Sequence, residues 1–215
     1  MTFTIVFFGW IFSLCLHEFS HALVAYLGGD YTVREKGYLT FNPLKYTHPL
    51  FSIVLPLLFL VMGGIGLPGG AVYIERRLIR NRFVLSLMAL AGPLSNLLVA
   101  VVLSLVLRFS ASIPESYLPG LSFLLFLQVS AVLFNSIPVP PFDGYNVLEP
   151  FLNPAIRMQA ERFGYITFWI IILLFWFVKP VSDSFWETVY ATSIFLGVDW
   201  GMVVAGLERF RFWEL

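Results

Sequence analysis

Few residues in this chain have chemistry to offer, and two of its three histidines stand close together in Cys15-Leu16-His17-Glu18-Phe19-Ser20-His21-Ala22. On a helix, positions 17 and 21 lie one turn apart on one face, so both imidazoles reach a common point. Glu18 stands about 100° around the axis from His17. From there a carboxylate touches a metal-held water without itself binding the metal. This is the H-E-x-x-H pattern, in which two histidines hold zinc and the glutamate acts as general base. A lone buried histidine is more often simply hydrogen-bonded. Three such groups in one apolar run argue for a metal, because each added polar group at membrane depth costs a few kcal/mol.

A catalytic zinc takes three protein ligands and a water, so a third ligand must come from elsewhere. The candidates are Asp143, Glu149, Glu161, His48 and Asp30. Asp143 stands out within Asn135-Ser136-Ile137-Pro138-Val139-Pro140-Pro141-Phe142-Asp143-Gly144. Three prolines in four positions predict a stiff extended segment, and Gly144 lets the chain turn after the carboxylate. Such a segment returns Asp143 towards the first helix. The ordinary alternative is an aspartate that caps a turn or helix.

The elements that position these residues lie in a bilayer. Of 215 residues, 59% are apolar and 12% charged, with mean hydropathy +0.84. Soluble domains carry about 25% charged residues. The composition excludes an ordinary soluble domain, a disordered chain and a nucleic-acid binder with a basic surface. Thirteen basic and thirteen acidic residues cancel, and the single Cys15 forms no intramolecular disulfide. Apolar runs predict membrane helices over 3–27, 83–108, 119–135, 163–178 and 185–207, each near the ~20 residues a bilayer needs. The first run is too long for a signal-peptide core and has no basic start, so it is expected to be retained. Residues 50–73 differ. A short apolar run meets five glycines and one proline within Gly63 to Gly70, which break any helix. Backbone freed from helix at membrane depth must be buried in protein or face a water-filled cavity. The expected fold is therefore an all-α polytopic membrane protein with about five transmembrane helices, plus a re-entrant segment carrying a short membrane-embedded β-hairpin.

Orientation follows from lysine and arginine placement. If the first helix runs inwards and 50–73 re-enters without crossing, the inner side holds eleven basic residues: Arg34, Lys36, Lys45, Arg76, Arg77, Arg80, Arg82, Arg157, Arg162, Arg209 and Arg211. The outer side holds two, Arg108 and Lys179. A full crossing by 50–73 would place Arg76, Arg77, Arg80 and Arg82 outside and erase the bias.

Taken in order, His17-Glu18-Phe19-Ser20-His21, Phe41-Asn42-Pro43-Leu44, Ala91-Gly92-Pro93-Leu94-Ser95-Asn96 and Asn135-x-x-Pro138-x-Pro140 with Asp143-Gly144 resemble the site-2 protease family of intramembrane zinc metalloproteases. The resemblance covers roughly residues 10–150. Phe142 and Tyr145 stand where members often have Leu and Gly, and His48 where an acidic residue is frequent. The resemblance implies one Zn2+ held by His17, His21 and Asp143, with Glu18 activating water. It also implies that the Gly-rich stretch, with Gly69 and Gly70, lies near the substrate path, and that Asn135 orients a substrate carbonyl. Gly92 and Asn96 lie one turn apart, where they allow close packing on the first helix and supply a polar contact, and Asn96 joins Asn135, Gly69 and Gly70 as an expected substrate or transition-state contact. No insert is long enough for a PDZ domain, so 1–215 is expected to be one domain, a catalytic core of about 1–150 with additional helices over 151–215. The implied partners are a single-span membrane-protein substrate and the lipid bilayer, with no nucleic acid; self-association stays open. The implied location is a prokaryotic cell membrane with the site towards the cytoplasm. A membrane metal-binding or transport protein could use the same ligands; it gives Glu18 no role as a base, and the chain shows none of the internal repeats common in transporters.

The topology is testable directly. In a Cys15→Ser background, a cysteine placed at 115 should react with an impermeant thiol reagent on intact cells, and one at 36 only after permeabilisation. The reverse pattern would invert the orientation.

Overall fold

A computed structural model of the chain describes residues 1–46, 72–109, 113–211 and 213. The main helices are α1 (Thr2–Leu27), α2 (Thr32–Glu35), α3 (Arg82–Arg108), α4 (Leu118–Asn135), α5 (Asp143–Leu148), α6 (Pro154–Phe177), α7 (Lys179–Phe195) and α8 (Trp200–Phe210). Among the described residues there is no strand. Local chemistry sets several boundaries. The Asn81 side chain accepts from the Phe83 N–H at 2.8 Å to start α3. Asn153 does the same for Ala155 at 2.9 Å ahead of α6, whose first residue is Pro154, as helix N-termini prefer.

Helices α1, α3 and α4 are each long and apolar enough to cross a membrane, and the number rises to five if each of two bent pairs counts as one span. This is a multi-pass membrane protein. The expected single helix over 185–207 is corrected: α7 and α8 meet at a bend of 115°. Gly197 takes a left-handed φ of +85°, closing the end of α7, and the Asp199 carboxylate accepts from the Met202 N–H at 3.0 Å to open α8. A left-handed glycine followed by a capping aspartate is a stop and a start, and the apolar run on both sides hides it. The β-hairpin expected within 50–73, with Gly69 and Gly70, lies outside the described residues.

Helix α4 is the centre of the bundle. In its most apolar stretch 72% of residues are buried, against 44% in α1 and 33% in α3. It packs against α1, α3, α7 and α8 around Val6, Trp10, Phe123, Leu125, Leu127 and Phe210. Helix α3 shows how a bilayer inverts the usual pattern. Its exposed residues are Leu87, Leu90, Leu94, Leu98, Val102 and Leu105. Apart from Met88 and Pro93, its buried ones are small or polar: Ala89, Gly92, Ser95, Asn96, Ala100 and Ser104. Lipid accepts the leucines, while the small residues let α1 and α4 approach.

Two loops fold back on α1. The Tyr46 hydroxyl donates to the carbonyls of Cys15 (3.0 Å) and Thr40 (2.9 Å), and burial pushes its phenol pKa up, so it remains a donor. On the far side of residues 47–71, Val72 packs against the cluster that includes Cys15 and lines one cavity with Glu18. The fully buried Asp30 ties the loops together, accepting from Thr32 N, Thr32 Oγ1 and Glu75 N at 3.1, 2.6 and 2.7 Å. The residues on both sides of 47–71 thus pack near α1, Tyr46 against Cys15 and Val72 beside the cavity that holds Glu18.

The segment from Ser136 to Phe142 is not the extended strut that its prolines predict. It folds into tight turns, with Val139 N donating to Ile137 O (2.9 Å) and Phe142 N to Val139 O (3.1 Å). The prolines fix φ and leave ψ free to turn. Gly144 follows so closely that a Cβ there would fall on the Ser136 carbonyl and 2.7 Å from Ile137 O. Because backbone cannot yield as a side-chain tip does, Gly144→Ala should cost about 1–3 kcal/mol by overpacking, read as a lowered unfolding midpoint in detergent. An unchanged midpoint would show that the turn is looser than drawn.

Candidate metal centre

Residues far apart in sequence meet at one point. Helix α1 presents His17 and His21 one turn apart, both buried. Asp143, the first residue of α5, comes to them from the proline turn. His17 Nε2 lies 3.1 Å from His21 Nε2 and 3.1 Å from Asp143 Oδ2, and His21 Nε2 lies 3.4 Å from the same oxygen. The His21 Nδ1 is 2.7 Å from the Met88 carbonyl. A carbonyl only accepts, so Nδ1 carries the proton and Nε2 turns a lone pair to the centre.

Three such atoms brought together in an apolar interior are held either by a shared imidazole proton or by a positive metal centre. The spacing fits the metal: with bonds of about 2.0–2.2 Å and tetrahedral angles, two ligands of zinc stand about 3.4 Å apart. Burial alone would push the Asp143 carboxyl up, but His21 and His17 overcome that and hold it below the usual carboxylate range, in the ionised form a ligand needs. Gly92 of α3 completes the cradle. A Cβ there would collide with His21 Nε2 and stand 2.5 Å from His17 Nε2.

The donors face a cavity of about 430 Å³ that also takes in Glu18, Val72, Arg76, Met88, Asn135 and Phe168. Glu18 is buried within α1. Asn135 lines the same cavity, as the sequence suggested it should lie near the centre. Asn96 does not; it lines a much smaller adjoining cavity together with Trp10, His17 and Asn135.

Two of the rival ligands are engaged elsewhere. The Glu149 carboxylate binds Arg76 and lies 3.5 Å from Arg157, and Asp30 accepts the three hydrogen bonds above. His48 and the Glu161 side chain lie outside the described residues. Sequence reasoning missed Met88, because it acts through a backbone atom that every residue type carries. It also missed Arg76, which reaches α5 through Glu149 and through Asn146 Oδ1 at 3.4 Å. Ser86 Oγ donates to the Val147 carbonyl, fastening α5 to α3.

No protein-family model matches the chain, and no solved structure does. Curated proteins do. The chain is 43% identical over 217 residues to "Putative zinc metalloprotease Rip2" of Mycolicibacterium smegmatis, covering 99% of this chain and 82% of the relative. It is 40% identical over 218 residues to the protein of that name from Mycobacterium tuberculosis H37Rv, with the same coverage. It is 35% identical over 185 residues to "Putative zinc metalloprotease YwhC" of Bacillus subtilis, at 80% of each chain. The chain belongs to the site-2 protease family. As a site-2 protease family member it is a zinc metalloprotease of the membrane, and the converging donors are where its zinc fits.

The close approach of α3 gives a test independent of catalysis. Gly92→Val should leave the protein helical and membrane-embedded but lower its zinc content at least tenfold, measured by elemental analysis of purified protein. Full zinc content would show that the histidines do not use this cradle.

Proposed function

We propose that this chain hydrolyses peptide bonds in or beside the membrane-spanning segments of other membrane proteins, with His17, His21 and Asp143 as zinc ligands and Glu18 as general base. The observation that carries the reading is that the three donors and a buried Glu18 share one cavity at a membrane-spanning helix. A family member cutting only soluble peptides has no need to place its base there, where ionisable groups are costly.

Bound zinc supplies a Lewis acid that polarises the scissile carbonyl and makes water a nucleophile near neutral pH. The chain's own groups do the rest. Glu18 takes the proton of the attacking water and delivers it to the leaving amine, from its place on the cavity wall. The Asn135 amide orients the substrate carbonyl, a role its position on the cavity wall supports. The substrate helix has to unwind first, since its carbonyls are engaged internally. An edge in the Gly-rich segment, including Gly69 and Gly70, would offer the opened peptide backbone partners by strand addition. The packing of the residues on both sides of 47–71 near α1 supports a re-entrant rather than a crossing segment. The arginines and lysines of the flanking loops, among them Lys36, Arg76, Arg77 and Arg157, support a site that opens to the cytoplasm in a prokaryotic cell membrane.

Glu18→Gln separates hydrolysis from metal transport. Reconstituted with single-span substrates, the variant should retain zinc and lose cleavage by 10²-fold or more; undiminished cleavage would sink the mechanism. The ligand assignment rests on a second pair. Asp143→Ala should lose zinc while Glu149→Ala keeps it, and the opposite result would move the third ligand to Glu149.

A further inference from the structure

A small cavity adjoins the metal centre between α1, α3 and α4, lined by Trp10, Ser13, His17, Asn96, Ala131 and Asn135. Its volume of about 20 Å³ accommodates one water, which needs roughly 10–15 Å³, and nothing larger. Two of these lining residues each carry a polar atom with no hydrogen-bond partner among the described residues, the Trp10 Nε1–H and the Asn96 Oδ1. Both side chains are buried, at 3% and 5% exposure. One is only a donor and the other only an acceptor. An apolar interior makes it costly to leave either unmet. Ser13 does not meet them, because its hydroxyl donates to the Trp10 carbonyl and accepts from Gln128 Nε2, each at 2.9 Å.

The third group is His17. With Nε2 turned to His21 and Asp143, its remaining N–H is Nδ1. His21 delivers the equivalent proton to the Met88 carbonyl; among the described residues His17 has no such acceptor. A metal-binding histidine almost always gives that second N–H to an acceptor, which fixes its ring and raises its basicity. His17 and Asn135 are the residues shared by the walls of the large and the small cavity.

We infer that this cavity seats one structural water that accepts from Trp10 Nε1–H and His17 Nδ1–H and donates to Asn96 Oδ1, which makes Trp10 and Asn96 positioning residues for the His17 ligand. The donor and acceptor count closes: two hydrogen bonds received, one given, and one water proton left for a neighbour. His21 is oriented by main chain and His17 by side chains acting through water. The inference rests on His17 being a zinc ligand.

The test uses the full chain in detergent, with zinc affinity from chelator competition and the visible spectrum of the cobalt-substituted protein. Trp10→Phe removes the N–H and keeps an aromatic ring; Asn96→Leu keeps the size and removes the acceptor. Each should weaken zinc about tenfold, the lower end of the usual range for such partners, and alter the cobalt bands. The double variant should be little worse than either single one, since both changes lose the same water. Ala131→Val, which fills the cavity and leaves every hydrogen-bonding group in place, should reproduce the loss. Ser130→Ala, a buried hydroxyl on α4 outside the cavity wall, should not. Wild-type affinity and spectrum in Trp10→Phe and Ala131→Val would overturn the inference. So would variants that melt early without zinc yet bind it normally while folded, because the residues would then only pack. His17→Ala separates the two readings: if it keeps zinc, the ligand assignment fails; if it loses zinc while Trp10→Phe does not, only the water is wrong.

Discussion

Three lone-pair atoms pointing at one another inside a membrane helix bundle are the constraint on which the rest of this molecule is built. Two imidazole nitrogens and a carboxylate oxygen stand 3.1–3.4 Å apart, and one imidazole proton meets only part of that set. Each buried polar group left unmet costs about 1–3 kcal/mol, and Glu18 adds its own burial. A zinc ion bound by such a set releases free energy on the order of 10 kcal/mol, which exceeds that cost. The sign of the comparison explains why a chain otherwise so apolar carries these groups in its first helix. The metal is the partner that makes their placement stable.

Everything close to the centre is arranged to keep those atoms converged. Gly92 removes the one Cβ that would occupy the space of the histidine rings, and Gly144 allows the chain to pass under its own turn and aim Asp143 back at α1. The short helix α5 would be a weak platform alone, since six residues make under two turns. It is fastened by Ser86 to α3, by Arg76 to the segment that returns past Glu18, and by Phe142, whose ring packs 5.0 Å from Phe134 of α4. The buried Glu149, held by Arg76 and Arg157, illustrates why a pair of opposite charges near a site need not be part of its chemistry. Removing one partner of such a group is expensive, so it fixes where the ligand helix sits.

The part of the site legible in the sequence is the part set by local geometry. His17, Glu18 and His21 are placed by the helical repeat alone, and an apolar run of sufficient length guarantees the helix. Asp143 stands out by its proline-rich setting and then by resemblance, but local chemistry alone leaves it one acidic residue among several, because nothing in a sequence fixes that a turn 122 positions after His21 will fold back onto it. Asp30 and Glu149 look equally able to bind a metal; what disqualifies them is partners 45 and 73 positions away. The apolar run over 185–207 reads as one span because hydropathy is blind to the left-handed Gly197. The proline segment reads as extended because proline fixes one dihedral and says nothing of the other.

The two histidines, equivalent in the motif, are not equivalent in the fold. His21 is oriented by a main-chain carbonyl of α3, which no substitution can delete and which moves only if the helix moves. His17 faces the junction of α1, α3 and α4, where Trp10, Ser13, Asn96, Gln128 and Asn135 bring polar groups into an otherwise hydrocarbon interior. A polar seam of that kind tolerates little rearrangement, since every group in it must be met. The orientation of one ligand is thereby coupled to the packing of all three central helices, and metal binding to the assembly of the bundle. Loss of the metal should accordingly be felt along this seam before it is felt at the lipid-facing leucines of α3, which contribute to neither the ligands nor their partners.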